Sequence, residues 1–232
     1  KGWVEEAIKR YSLSRDTKSR GISDAIPIFT EDTKLLDRVS FLSLRYLEQV
    51  DNTYLIFGAP GSIVIIDQHA AHERVIFERL KKISFSDHEQ YQRLLIPEII
   101  DLQPGDYMLL LENIEVIRDA GFEIEPYGEH TVIIKSLPAL MAAVNLRQLI
   151  TDLVEEFLQM GKQADTSETR EKIYALMACK GAVKAKQRLT EPEIVKLCED
   201  LDSIPFAATC PHGRPLFVML DTGYMEKIFK RR

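Results

Sequence analysis

Apolar and polar positions along this chain switch between two periods, and the switches mark out the elements. The runs at 40–50 and 54–57 predict strands. Ala59-Pro60-Gly61-Ser62 supplies turn chemistry before 63–66, an apolar run short enough for a buried strand. From Gln68 to about Lys82 the pattern predicts a helix. Pro104-Gly105 opens a second one, over 106–120, which Gly121 closes. Strands are predicted over 122–125 and 131–135, joined through Tyr127-Gly128-Glu129. Leu146, Leu149, Ile150, Leu153, Val154, Phe157 and Leu158 recur at helical spacing, one face of a helix that ends at Gly161. A polar loop, 162–169, leads into a predicted helix over 170–186. Another begins at Thr190, where Thr190 and Glu193 have capping-box spacing. A strand over 216–220 and a basic tail over 227–232 follow. Ahead of all this, residues 1–35 combine a short amphipathic piece with a polar stretch and read as a linker. The pattern as a whole predicts an α+β fold.

Composition narrows the class. With 45% hydrophobic and 28% charged residues the chain has material for a real core. Its longest apolar runs reach only strand length, so no membrane span is expected, and the charged start does not read as a signal peptide. Three cysteines, an odd number, argue against a disulfide framework and for a reducing, cytoplasmic setting with thiol or metal chemistry open. A net charge of −6 argues against tight, stand-alone nucleic-acid binding, which rests on Lys and Arg neutralising phosphates. If the protein acts on DNA, something else must help to bring it there.

The candidate chemistry is concentrated in a few stretches. Asp67 ends an apolar strand, where a carboxylate can project into a cleft. His69 and Glu73 are four apart and share one helix face, within reach of one ion, whereas His72 points elsewhere. The same spacing also suits an ordinary surface pattern. Glu78 has Arg74 and Lys82 at four-residue spacing, and an exposed ion pair is enough to explain it. Downstream, Cys210-Pro211-His212-Gly213-Arg214-Pro215 sets a thiolate and an imidazole two residues apart, a combination that suits zinc. A free cysteine is also a small hydrophobe. Cys198 fits that description on the stripe Ile194, Leu197, Cys198, Leu201, and Cys179 in Ala178-Cys179-Lys180-Gly181 is compatible with either role.

Together these motifs resemble the nuclease-competent MutL proteins of DNA mismatch repair. That family's Asp-Gln-His-Ala signature, with a Glu after two more residues and another after a further four, runs unbroken from Asp67 to Glu78. Ala178-Cys179-Lys180 is similar to its Ala-Cys-Arg/Lys element, and Cys210 to Pro215 matches its Cys-Pro-His-Gly-Arg-Pro element at every position. The resemblance extends from about Arg45 onward and includes the segment from Gln49 to Phe57.

The resemblance implies a metal-dependent endonuclease that nicks DNA. Asp67, His69, Glu73, Cys179, Cys210 and His212 would hold metal, with Asp67 and Glu73 as the catalytic carboxylates. The thiol and imidazole groups favour Zn2+, and the carboxylates a second site for Mn2+ or Mg2+. It further implies a homodimer, a discontinuous dimerisation subdomain of residues 36–97 and 170–232 that carries the metal site, and an inserted regulatory subdomain over 98–169. The full-length protein would bind ATP and work with a MutS-type mismatch sensor, although none of these 232 residues resembles the family's nucleotide-binding motifs. Gln92-Arg93-Leu94-Leu95-Ile96-Pro97 is similar to the family's sliding-clamp-binding motif, with Gln92, Leu95 and Pro97 as anchors. Arg214, fixed in a Pro-punctuated loop, is the expected phosphate contact. Lys180, Lys184, Lys186 and Arg188 form either a positive track beside the site or a solvated face. The competing reading is a non-catalytic, zinc-stabilised dimerisation and partner-binding module.

Overall fold

The computed structural model describes residues 40–82, 91–160, 166–182, 187–205 and 208–231. The expected linker at 1–35, Lys184 and Lys186 lie outside them. The fold is α+β. Strands β1 (Arg45–Val50), β2 (Tyr54–Ala59) and β3 (Ser62–Asp67) follow one another as antiparallel hairpins, and β7 (Phe217–Asp221) joins from the far end of the chain to give the order β1-β2-β3-β7. Asp51 and Asn52 make the first hairpin possible. Both have positive φ, 51° and 48°, a conformation that Asp and Asn tolerate better than other side-chain-bearing residues and that matches the twist of the flanking strands. Leu55 lies opposite Ile66, Phe57 opposite Val64 and Ile66 opposite Phe217, so the buried residues of three strands share one face.

The first expected strand begins later than its composition suggests. Phe41–Ser43 is a turn of 3-10 helix whose amides are taken by a distant carboxylate: Phe41 and Leu42 N–H donate to Asp202 at 2.7 and 3.1 Å. Helix α1 (Gln68–Lys82) leaves β3 without a loop and spans the expected residues.

A second antiparallel sheet, in the order β4-β6-β5, comprises β4 (Tyr91–Asp101), β5 (Glu123–Pro126) and β6 (Thr131–Pro138). The division expected between 97 and 98 falls inside β4. The helix expected over 106–120 is two, α2 (Pro104–Glu112) and α3 (Ile114–Asp119). Asn113 breaks it: its side-chain Nδ2 donates to Leu109 O at 2.9 Å and competes for a carbonyl of the helix. Gly121, at φ 97°, closes α3 as expected. Helix α4 (Leu146–Met160) has the anticipated apolar face, Leu149, Ile150, Leu153, Val154 and Phe157. Helix α5 (Thr166–Gly181) begins and ends earlier than the 170–186 expected, and α6 (Glu191–Ser203) begins where Thr190 N–H donates to Glu193 Oε2 at 2.7 Å. A short helix α7 (Thr222–Ile228) occupies part of the stretch read as a tail.

Around the second sheet the core includes Ile100, Val132, Ile134, Ile117, Phe122 and Leu153, and it also takes Leu80 from α1 with Ile173 and Met177 from α5. The middle block therefore shares its core with the helices on either side. Among the described residues, no helix is long and apolar enough to cross a membrane.

Lys180 of α5 pairs with Asp152 of α4, which fastens the end of α5 that carries Cys179. Burial pushes the Asp152 carboxyl up, but bonds from Lys180 and Gln148 outweigh it and hold its pKa below the ordinary value. A carboxylate depressed in the folded state contributes stability that is present above its unfolded pKa and lost as pH falls through the folded one. Asp152→Asn is expected to cost about 1 kcal/mol near neutral pH. The check is urea unfolding at a series of pH values, in which the gap between parent and variant should close below about pH 4.

Candidate metal centre

Three remote segments converge on one carboxylate. Glu73 stands on α1 one turn after His69 and is wholly buried. An unpaired charge so buried is strongly unfavourable, so its partners decide whether the fold tolerates it. His69 Nε2 lies 3.1 Å from Glu73 Oε1. His212 Nδ1 lies 3.4 Å from Oε2, and Arg214 Nη2 donates to both oxygens, at 3.0 and 3.1 Å.

The loop Cys210-Pro211-His212-Gly213-Arg214-Pro215 can deliver these groups because its backbone closes on itself. Gly213 N–H donates to Cys210 O at 2.9 Å and Cys210 N–H to Arg214 O at 2.8 Å. Gly213 takes φ 79°, a left-handed conformation that favours glycine. The isolated bridge between Thr209 and Pro215 seals the base, and Asp67 N–H, donating to Leu216 O at 2.9 Å, moors the loop to the end of β3. The third segment is the end of α5. Gly181 lets that helix approach closely, since a Cβ there would stand 3.2 Å from Met141 Sδ.

Two clusters of ligand-type side chains result, and Glu73 belongs to both. His69, Glu73 and Cys179 form one, and Glu73, Cys210 and His212 the other, with the potential ligand atoms of each within 4.8 Å of one another. Burial pushes the Glu73 pKa up, but a bond from Cys210 and the neighbouring His69, Arg214 and His212 more than reverse this and hold it below the usual carboxylate range. Burial and the Glu73 charge together push the Cys179 thiol up. Two imidazoles, two thiols and one carboxylate are a donor set that fits zinc, and a carboxylate shared between two clusters fits a second divalent ion.

Sequence reasoning named five of these residues, and the structure brings all five together. Asp67 is in neither cluster. Its Oδ1 accepts from His69 N–H at 2.9 Å and from Ala70 N–H at 3.0 Å, so it caps the first turn of α1 and orients His69 through the backbone. Arg214, expected to face phosphate, spends hydrogen bonds on Glu73. Glu78 is buried instead of exposed, paired with Arg74 at 2.7 Å. His72 stands off the cluster as expected, its Nδ1 2.7 Å from Gln68 O, with burial lowering its pKa. Lys180, paired with Asp152, is not part of an open positive track. Sequence reasoning gave no role to Gln49 or Gln68, which share a hydrogen-bond network beside the centre. The only signal for them was their position inside the matched segments.

The segment from Gln92 to Pro97 lies in β4 and leaves the sheet. Arg93 pairs with Ser136 and Glu98 with Ile134, so residues 94–97 bulge from the ladder against a single residue of β6. Leu95 and Ile96 are 103% and 83% exposed, more open than any other large apolar residue among those described. Pro97, which has no N–H to give, suits a position without a ladder partner.

Comparison with known proteins agrees with the motifs. The family described as "MutL C terminal dimerisation domain" matches residues 47–189. A DNA mismatch repair protein MutL of Syntrophus aciditrophicus is 44% identical over 192 residues, 83% of this chain and 31% of that protein. The MutL of Clostridium acetobutylicum is 37% identical over 194 residues, 84% of this chain and 31% of its own length. That of Clostridium botulinum (strain ATCC 19397 / Type A) is 34% identical over 227 residues, 95% of this chain and 34% of its own. The chain thus spans about a third of the length of these relatives. A signature whose His69 and Glu73 stand in one cluster with Cys179, a family match over most of the chain and identities of this size lead to one conclusion: the chain belongs to the MutL family, through its C-terminal dimerisation domain.

Proposed function

We propose that this chain is a metal-dependent nicking endonuclease of DNA mismatch repair, hydrolysing a phosphodiester at the centre built around Glu73. The observation that carries the reading is a fully buried carboxylate shared by two pairs of zinc-type ligands, His69 with Cys179 and Cys210 with His212. When bound, a pair of divalent ions supplies charge neutralisation at the non-bridging phosphate oxygens and a more acidic water near neutral pH. The thiols and imidazoles would hold Zn2+, and Glu73 with Asp67 would complete a site for Mn2+ or Mg2+. Arg214 orients both Glu73 oxygens, and its guanidinium, on a side chain 55% exposed, remains at the rim where a phosphate can meet it.

The same reading includes a homodimer. Ile56, Ile65 and Val218 form one register row on the second face of the β1-β2-β3-β7 sheet, and Ile63 with Leu220 lies in the row two positions along. This apolar, partly buried face suits an isologous contact between copies. The bulge carrying Gln92, Leu95 and Pro97 would engage the sliding clamp, which would recruit a protein whose charge of −6 disfavours DNA. ATP-driven control and a MutS-type partner belong to the longer protein.

One observation favours a second reading, a non-catalytic, zinc-stabilised module: Asp67 has a sufficient structural role as a helix cap. Asp67→Asn separates the two, because Asn caps a helix as well as Asp but carries no charge. The variant is expected to keep its melting temperature and lose nicking of supercoiled plasmid in manganese at least about tenfold. Unchanged nicking would leave Asp67 as a cap alone.

Cys210→Ser combined with His212→Ala is expected to lower bound zinc and the melting temperature together, since an ion on these two residues and Glu73 would tie α1 to the 210–215 loop. Elemental analysis beside thermal unfolding checks this, and full zinc retention would place the ligands elsewhere. Gln92→Ala with Pro97→Ala should leave zinc content and clamp-independent nicking intact and abolish stimulation by a loaded clamp. The bulge is outside the core, so a few anchors set that contact.

A further inference from the structure

Two glutamines beside the centre form a clasp. Gln49 of β1 donates from Nε2 to Gln68 Oε1 at 2.6 Å and to Gln187 O at 3.2 Å. Gln68, wholly buried, donates from its own Nε2 to Gln187 O at 2.8 Å. Gln49 Oε1 accepts from Leu189 N–H at 3.0 Å. The two side chains thereby bind the backbone on both sides of Arg188. Gln68 directly precedes His69, and its own N–H is held by Thr53 O at 3.0 Å, so the clasp is anchored to the first turn of the helix that carries the centre.

A glutamine satisfied on both its amide groups costs little when buried, while an apolar residue there would leave Gln187 O and Leu189 N–H without these partners. This arrangement is specific for glutamine, because each residue must both donate and accept. Its effect is on Arg188, an exposed cation one Cα step, about 3.8 Å, beyond the doubly held Gln187. Lys180 is engaged by Asp152, whereas Arg188 is exposed and follows the Gln187 carbonyl that Gln68, the neighbour of His69, holds.

We infer that Gln49 and Gln68 are positioning residues that hold Arg188 beside the centre as a contact for a phosphate of the DNA strand to be cut. The inference rests on the nicking reading above. The pair acts on binding of the strand and not on the metal ligands, so its loss should raise KM for plasmid while sparing kcat and zinc content.

The test compares the whole chain with Gln49→Leu, Arg188→Ala and the double variant, using supercoiled plasmid and manganese. Each single change is expected to raise plasmid KM about fivefold, the worth of one hydrogen bond or exposed charge contact. The kcat values and zinc content should stay within about twofold of the parent. The double variant should be no worse than Arg188→Ala alone, because both changes remove the same contact. Amide exchange at Leu189 should quicken in Gln49→Leu and not in Arg188→Ala. Unchanged KM, effects that multiply in the double variant, or lost zinc or kcat in Gln49→Leu would each overturn the inference. Should Gln49→Leu fail to fold, Gln49→Glu keeps the size and the acceptor for Leu189, removes the donor and carries the same comparison. A parent chain that does not nick overturns the function reading instead, and plasmid affinity by gel shift in the same variants still decides the role of the clasp.

Discussion

Everything around the centre depends on keeping one carboxylate charged where water does not reach. Glu73 is wholly buried on α1, and without compensation it would either take up a proton or destabilise the fold by several kcal/mol. The fold answers with segments that are far apart in the chain: His69 from the same helix, Cys179 from the end of α5, and Cys210, His212 and Arg214 from a closed loop. Each segment needs its own backbone device to arrive. For α1 this is the Asp67 cap, for α5 the glycine at 181, and for the loop the left-handed Gly213 with its two internal hydrogen bonds.

Such a cluster explains why ligand-type residues and a guanidinium coexist there. Arg214 and the imidazoles balance the Glu73 charge, and the same imidazoles with the thiols form a donor set that a soft divalent cation prefers. The arrangement is rigid because its parts are mutually bound. Asp67 N–H bonds to Leu216 O, which joins strand, helix and loop, and the glutamine clasp adds β1 and the approach to α6. Preorganisation of this kind favours a site that orients what it binds.

The second sheet presents a different surface. Its core is continuous with α1 and α5, so a disturbance at the bulge of β4 has a packed route toward the helices that carry Glu73 and Cys179. At the bulge itself the chain exposes a leucine and an isoleucine more fully than any other large apolar residue among those described, an arrangement that lowers stability without a partner and suits recognition by a few anchors.

How much of this the sequence contained can be seen element by element. Helix α1 was legible to its ends, because an apolar strand and a helical period follow one another without interruption. The α+β class was legible for the same reason, whereas the five ligand-type residues were picked out by the family resemblance, since local spacing alone left a surface pattern open for His69 and Glu73 and a core role open for Cys179. What the sequence left open was whatever depends on a distant partner. Residues 40–43 look like strand and coil into a 3-10 turn because Asp202 takes their amides. Glu78 reads as exposed by spacing and is buried by packing, and a single side chain, Asn113, divides a helix that periodicity would continue. Arg214 and Asp67 were recognised by type, yet their partners, Glu73 for one and the amides of α1 for the other, were set by how strand, loop and helix meet. Local period and residue chemistry are properties of neighbours in the chain. Which carboxylate is buried, and what then has to surround it, is a property of neighbours in space, and only the tertiary structure decided it.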